Sequence, residues 1–181
     1  FVCEWPVRTY HWVMAATVAA MCVTGWLIQH PPAAAPGEAH AHFLVGYIRL
    51  VHYAAGYVCG VALIARLYWA VVGNRYAREP FIPPLGDVLH GHLGAGEPTV
   101  THNVASRLAI GGFTLLLIAM LATGFALYGA EAGRGSWADV AFGWVVPLLG
   151  SLSDVHYWHA VGMWLVAGYA VIHIYNAVSE E

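Results

Sequence analysis

Four stretches of the chain are apolar over long distances, and polar or proline-bearing punctuation separates them. The first, Trp12 to Ile28, starts after Arg8 and stops at His30-Pro31-Pro32, where proline ends a helix. The second, about Tyr47 to Val72, runs out at the polar and basic Gly73-Asn74-Arg75-Tyr76-Ala77-Arg78. The third covers about Ala105 to Tyr128, and the fourth about His156 to Val178. Each is long enough to cross a hydrocarbon core, for which about 17 residues is the lower limit. The pattern predicts an all-α integral membrane bundle of four transmembrane helices over about 10–29, 47–72, 105–128 and 156–178. The connection 74–103 is rich in Gly and Pro, shows no apolar period and reads as a loop. In the connection 129–154, Trp137, Phe142, Trp144 and Val145 predict a short element at the membrane surface, where tryptophan concentrates, and no fifth span.

Composition agrees with this reading. Hydrophobic residues make up 60% of the 181 and charged residues only 9%, against roughly one-quarter charged in soluble domains. One membrane domain over 1–181 is expected, in contact with lipid and with no nucleic-acid partner. A competing reading of the first helix is a signal peptide, which Arg8, the apolar stretch and Ala33-Ala34-Ala35 imitate. All seven basic residues are arginine. With the amino terminus inside, Arg8, Arg66, Arg75, Arg78 and Arg107 lie inside, while Arg49 and Arg134 lie outside. The positive-inside rule favours that orientation. Both termini are then cytoplasmic, 74–103 is an inner loop and 129–154 an outer one.

The eleven histidines are an excess for so apolar a chain. Four fall within or at the edges of the helices at two matched depths. His11 opens the first helix at the inner side, where His173, late in the fourth, also lies. His52, early in the second helix, and His159, early in the fourth, meet near the outer side. His159 and His173 are fourteen residues apart, which leaves them about 40° apart around the helix and roughly 21 Å apart along it. They share a face at a separation suited to two stacked cofactor sites, and bundle cores are where such sites are built. Neutral imidazole is a good iron ligand, and ionisable groups in a span are functional suspects by default. The arrangement points to two haems, one held by His52 and His159 and the other by His11 and His173.

Gly56, four residues after His52, and Gly162, three after His159, share their histidine's face and leave room for a flat macrocycle. Thr24-Gly25 and Thr123-Gly124 repeat a small pair within Met21-Cys22-Val23-Thr24-Gly25-Trp26 and Met120-Leu121-Ala122-Thr123-Gly124-Phe125. Two accounts of that pair stay open, an internal echo and close helix packing. His156 is the alternative to His159. His30, His40, His42, His90, His92 and His102 lie in loops or at their edges, where a solvated side chain is the default; His40 and His42 are a secondary metal-binding option. Cys3, Cys22 and Cys59 form no Cys-x-x-Cys-His run and no zinc or iron–sulfur spacing. Haem would therefore be bound non-covalently, as haem b.

Several runs carry a family resemblance. Arg8-Thr9-Tyr10-His11-Trp12, continued to Thr24-Gly25, and Trp158-His159-Ala160-Val161-Gly162-Met163-Trp164, continued to His173, resemble the two signatures of the b-type cytochrome subunit of membrane-bound nickel–iron uptake hydrogenases, a cytochrome b561-like dihaem family. Gly46-Tyr47-Ile48-Arg49, Gly73-Asn74-Arg75-Tyr76-Ala77-Arg78 and Gly135-Ser136-Trp137-Ala138-Asp139 are similar to it as well, so the likeness extends over nearly the whole chain. Two positions depart from it. Ala160 stands where many relatives have a second histidine, which leaves His159 alone at that doublet, and Tyr169 stands where they have phenylalanine. The chain also lacks the family's usual tails beyond Phe1 and Glu181, as a trimmed gene product would.

The resemblance implies a bacterial inner-membrane electron carrier with no catalytic residue of its own. A partner hydrogenase of small and large subunits oxidises hydrogen on the outer face. Its electrons reach the outer haem at His52 and His159, then the inner haem at His11 and His173, then a quinone. Arg8, Tyr175 and Asn176 could offer donors to that quinone, and the outer-loop aromatics with Arg134 could dock the small subunit. Three other readings remain open. One is the equivalent subunit of formate dehydrogenase or thiosulfate reductase; the others are a histidine-based non-haem metalloenzyme of the membrane and a passive anchor.

Overall fold

A computed structural model describes residues 5–32, 43–73 and 104–179, with the side chains of 104–107 excepted. The expected inner loop over 74–103, with Arg75, Arg78, His90, His92 and His102, lies outside the described residues, as do Cys3, His40 and His42. The described residues contain helices and no strand: α1 (Trp5–Gln29), α2 (Leu44–Val72), α3 (Val104–Ala132), α4 (Trp137–Phe142), α5 (Val145–Leu149) and α6 (Leu152–Ser179). Four of them, α1, α2, α3 and α6, are long and apolar enough to cross a membrane.

The helices outrun the apolar runs that announced them, for local reasons. In α1 the first turn contains Pro6, which is tolerated there because that turn's N–H groups have no intrahelical acceptor. At its other end the His30 N–H still donates to the Trp26 carbonyl at 2.9 Å before Pro31 stops the helix. The α3 helix continues through Glu131 and Ala132 to Gly133, whose φ of +96° is a left-handed conformation that favours glycine. The α6 helix starts at Leu152 because Ser151 caps it. The Asp154 N–H donates to Ser151 Oγ at 3.2 Å, and the Ser151 hydroxyl donates to Asp154 Oδ2 at 2.6 Å.

The chain falls into two compact units, Phe1–Glu79 and Pro80–Glu181. In the first, α1 and α2 pair as a hairpin. The buried residues of α2 are Ala55, Cys59, Ala62 and Leu63, spaced at three to four residues, and those of α1 are Val18 and Thr24. Small side chains on the α2 stripe let the two backbones approach, which is how helices associate where lipid removes the usual hydrophobic drive.

In the second unit α3 packs against α6, and the two short helices close the end of the hairpin. The expected surface element is thus two helical turns. Ser136 caps α4 by accepting from the Asp139 N–H at 3.2 Å, while Asp139 Oδ2 accepts from the Gly135 N–H at 2.8 Å. Gly129 allows α3 to touch α4 directly, since a Cβ there would lie 2.6 Å from the Asp139 nitrogen. A small core of Ala126, Val145 and Val155 is covered by Phe142, Val146 and Leu149. Beside it Phe125 stacks on Phe142 at 5.2 Å and meets Trp137 edge-on at 5.4 Å. Away from these contacts the long helices keep large apolar residues exposed, among them Val61 and Ile64 on α2 and Leu165 and Val171 on α6. Such surface is a liability in water and the ordinary lipid-facing surface of a span.

Candidate functional site

Threonine in an apolar helix has one hydroxyl proton to place, and the nearest acceptor is the carbonyl one turn back. Thr24 follows that rule, with Oγ1 at 2.6 Å from the Ala20 carbonyl oxygen. Two oxygens lie that close only with a proton between them, so the hydroxyl is the donor. Its oxygen still has lone pairs, and His52 Nδ1 on α2 lies 2.9 Å from it. With that proton directed to the carbonyl, the Thr24 oxygen is an acceptor for the hydrogen of an imidazole protonated at Nδ1. The same ring also hydrogen-bonds to the Met21 backbone. A neutral imidazole is protonated at one nitrogen, and in the tautomer protonated at Nδ1 the lone pair of His52 resides on Nε2.

The second unit repeats the arrangement. Thr123 Oγ1 donates to the Ala119 carbonyl at 2.8 Å, and His159 Nδ1 on α6 lies 2.8 Å from that same oxygen. With the hydroxyl proton directed to the carbonyl, a neutral His159 protonated at Nδ1 likewise keeps its lone pair on Nε2. Gly124, next to Thr123, leaves space for the ring: a Cβ there would stand 3.2 Å from His159 Cε1. In each unit the glycine that follows the histidine faces a methionine of the facing helix. The nearest atom to a Cβ on Gly56 would be Met21 Sδ at 3.9 Å, and a Cβ on Gly162 would run into Met120 Sδ.

The remaining histidines are placed differently. His11 lies in the second turn of α1, edge-on to Trp12 with ring centroids 5.3 Å apart. His173 lies near the end of α6 in a column of rings, stacked at 5.8 Å on Tyr169, which itself stacks at 4.1 Å on Phe113 of α3. His156, the alternative to His159, is exposed and has Nδ1 3.1 Å from the carbonyl of Leu152 on its own helix. His30 is exposed and stacks on Trp26. Arg8 is an exposed residue of α1, and Tyr175 and Asn176 are exposed residues near the end of α6. Among the described residues no group of three or more His, Cys, Asp or Glu side chains is gathered to hold a metal ion.

Sequence reasoning did not assign the hydroxyls of Thr24 and Thr123 to the histidines. The signal was present in the repeated Met-x-x-Thr-Gly run. A threonine that satisfies itself on its own helix gives no hint of a second partner, so the run alone could not separate an echo from packing.

The chain matches, over residues 2–181, the family described as prokaryotic cytochrome b561. It is 42% identical over 194 aligned residues to a protein of Cupriavidus necator named probable Ni/Fe-hydrogenase B-type cytochrome subunit, covering all of this chain and 80% of that one. A protein of Escherichia coli K12 named probable Ni/Fe-hydrogenase 1 B-type cytochrome subunit is 37% identical, with all of this chain and 83% of its own length covered. A Rhodobacter capsulatus protein with the same name as the first is 39% identical, again over all of this chain and over 74% of its own.

Proposed function

Because this chain belongs to the prokaryotic cytochrome b561 family, and so carries b-type haem in the bacterial inner membrane, we propose that it is the membrane cytochrome of a nickel–iron hydrogenase, holding two haems b and delivering electrons to quinone. The observation that carries the haem assignment is the pair of threonine hydrogen bonds at His52 and His159. They support the tautomer with the proton of each imidazole on Nδ1 and its lone pair on Nε2, the state in which Nε2 can bind iron. Among the described residues no group of three or more His, Cys, Asp or Glu side chains is gathered, and a haem asks for no such group, only for imidazoles.

A bound haem supplies a one-electron iron couple whose potential is set by its axial ligands, their hydrogen bonds and burial. The chain's own work is to place those ligands. In this reading His52 and His159 serve the outer site, and His11 and His173 the inner one. The α6 helix contributes a ligand to each, roughly 21 Å apart along its axis at 1.5 Å per residue. Gly56 and Gly162 remain the small positions beside the outer ligands. Both termini lie in the cytoplasm and the 129–154 connection faces the periplasm. There its exposed Trp137 and Trp144, with Arg134, meet the hydrogenase small subunit, beyond which sits the large one. Arg8, Tyr175 and Asn176 lie at the inner ends of α1 and α6 and offer hydrogen-bond donors to quinone.

The test is a dithionite-reduced minus oxidised spectrum with pyridine haemochrome quantification, on the parent and on His52→Ala and His173→Ala. Two haems b in the parent, and one fewer in each variant, are expected. No haem, or a count unchanged in both variants, would overturn the reading. Copurification with a formate dehydrogenase or thiosulfate reductase would keep the haem sites and replace the donor.

A further inference from the structure

Lipid-embedded helices place threonine hydroxyls on their own carbonyls, so a second partner on another helix is not needed for satisfaction. In this chain both mid-span threonines that do so at a Thr-Gly pair also receive a histidine N–H from the facing helix, at 2.9 and 2.8 Å. One such contact could be interhelical glue. Two, in separate units, come with the same surroundings: a methionine three residues before the threonine, set against the glycine that follows the histidine. The element is a device used twice.

Resting on the assignment of His52 and His159 as haem ligands, we propose that Thr24 and Thr123 are positioning residues, each fixing the tautomer, direction and donor strength of one imidazole within its own helix pair. Each hydroxyl accepts the Nδ1 hydrogen, so the ring cannot present that nitrogen to iron. Hydrogen-bonding to Nδ1–H also shifts electron density onto Nε2 and raises its basicity. A more basic axial ligand stabilises the ferric state over the ferrous. Ring rotation is restrained as well. On one side of His159 the Thr123 oxygen holds Nδ1, and on another the Gly124 backbone passes close to Cε1. Removing either hydroxyl should therefore move the potential of the haem that its histidine holds.

The experiment is a redox titration of native membranes carrying the parent, Thr24→Val, Thr123→Val and the double variant, with haem content and low-spin EPR g-values recorded alongside. Valine is nearly isosteric and lacks the acceptor. Haem content should be retained, and a haem midpoint should rise in each single variant. The reduced-to-oxidised ratio of that haem at fixed potential should change by roughly three- to tenfold, tenfold being 59 mV for a one-electron couple. The shift should be larger in the double variant. Thr24→Ser and Thr123→Ser, which restore the oxygen, should return the parental midpoint. If valine disrupts the hairpin, the comparison passes to Thr→Ala against Thr→Ser, with serine parental and alanine shifted. Parental midpoints and g-values in every variant would overturn the proposal while leaving the ligand assignment intact. Should His52→Ala and His159→Ala keep both haems, the ligand assignment itself fails.

Discussion

Replacing Gly124 by alanine tests the confinement of His159 with the smallest side chain that can do so. The added Cβ would stand 3.2 Å from His159 Cε1, against the 3.5–4.0 Å of an ordinary carbon contact. The ring must then retreat by about 0.3–0.5 Å. It cannot retreat freely, because Nδ1 is tied at 2.8 Å to the oxygen of the adjacent residue, Thr123. Moving away by that amount stretches the bond to about 3.2 Å, the edge of the range for a good N–H···O bond. The loss is at most about 1 kcal/mol, and alanine returns a similar amount through helix propensity. Global stability should therefore change by less than about 1 kcal/mol while the imidazole is displaced. The expected result for Gly124→Ala is a parental melting temperature in detergent and a rise in one haem midpoint, the one moved by Thr123→Val. Gly112→Ala is the control, since nothing lies within 4 Å of its Cβ on the same helix. If Gly124→Ala and Gly112→Ala give the same spectra and midpoints, the confinement argument is wrong.

Other substitutions probe packing and capping. Gly162→Ala drives a Cβ into Met120 Sδ and should destabilise by about 1–3 kcal/mol, the usual cost of overpacking; Met120→Ala should relieve most of it, read as a coupling energy from thermal unfolding of the four proteins in a double-mutant cycle. Ser151→Ala removes the cap of α6 and should cost about 0.5–2 kcal/mol in the same assay, with haem content unchanged because the residue lies outside the histidine face. Tyr169→Phe should preserve the ring column from Phe113 to His173 and leave the haem spectrum parental. Tyr169→Ala removes its central ring and, at about 0.5–1.5 kcal/mol per aromatic pair, should broaden or shift the EPR signal of the haem that the proposed assignment gives to His173.

The spans were legible because a helix in lipid needs only length and apolarity, and both are properties of a run. Their ends were less so. Glu131 and Ala132 extend α3 beyond the apolar stretch because a polar residue can continue a helix past the hydrocarbon, and Ser151 starts α6 before the first apolar turn. The four histidines stood out because imidazole is rare in a span. The hydroxyl partners of His52 and His159 could not be read from spacing, since Thr24 and His52 lie 28 residues apart on different helices. Only the packing of α1 on α2 brings them together.

The same physics explains why the repeat is faint in the sequence and clear in the structure. Met21, Thr24 and Gly25 recur in unchanged register as Met120, Thr123 and Gly124, but the glycine falls four residues after His52 and three after His159. A comparison by fixed register loses the correspondence at that slip. On a helix of 3.6 residues per turn, positions three and four residues on are both neighbours on the histidine's face. Each glycine therefore still looks at its methionine, and each histidine still finds its threonine. Contact geometry tolerates a displacement that a linear alignment does not. Since the repeated part is the hydrogen bond between helices and the variable part is the register along them, constraint should be sought at the threonine oxygen and the histidine Nδ1, with the spacing to the glycine free to change by one.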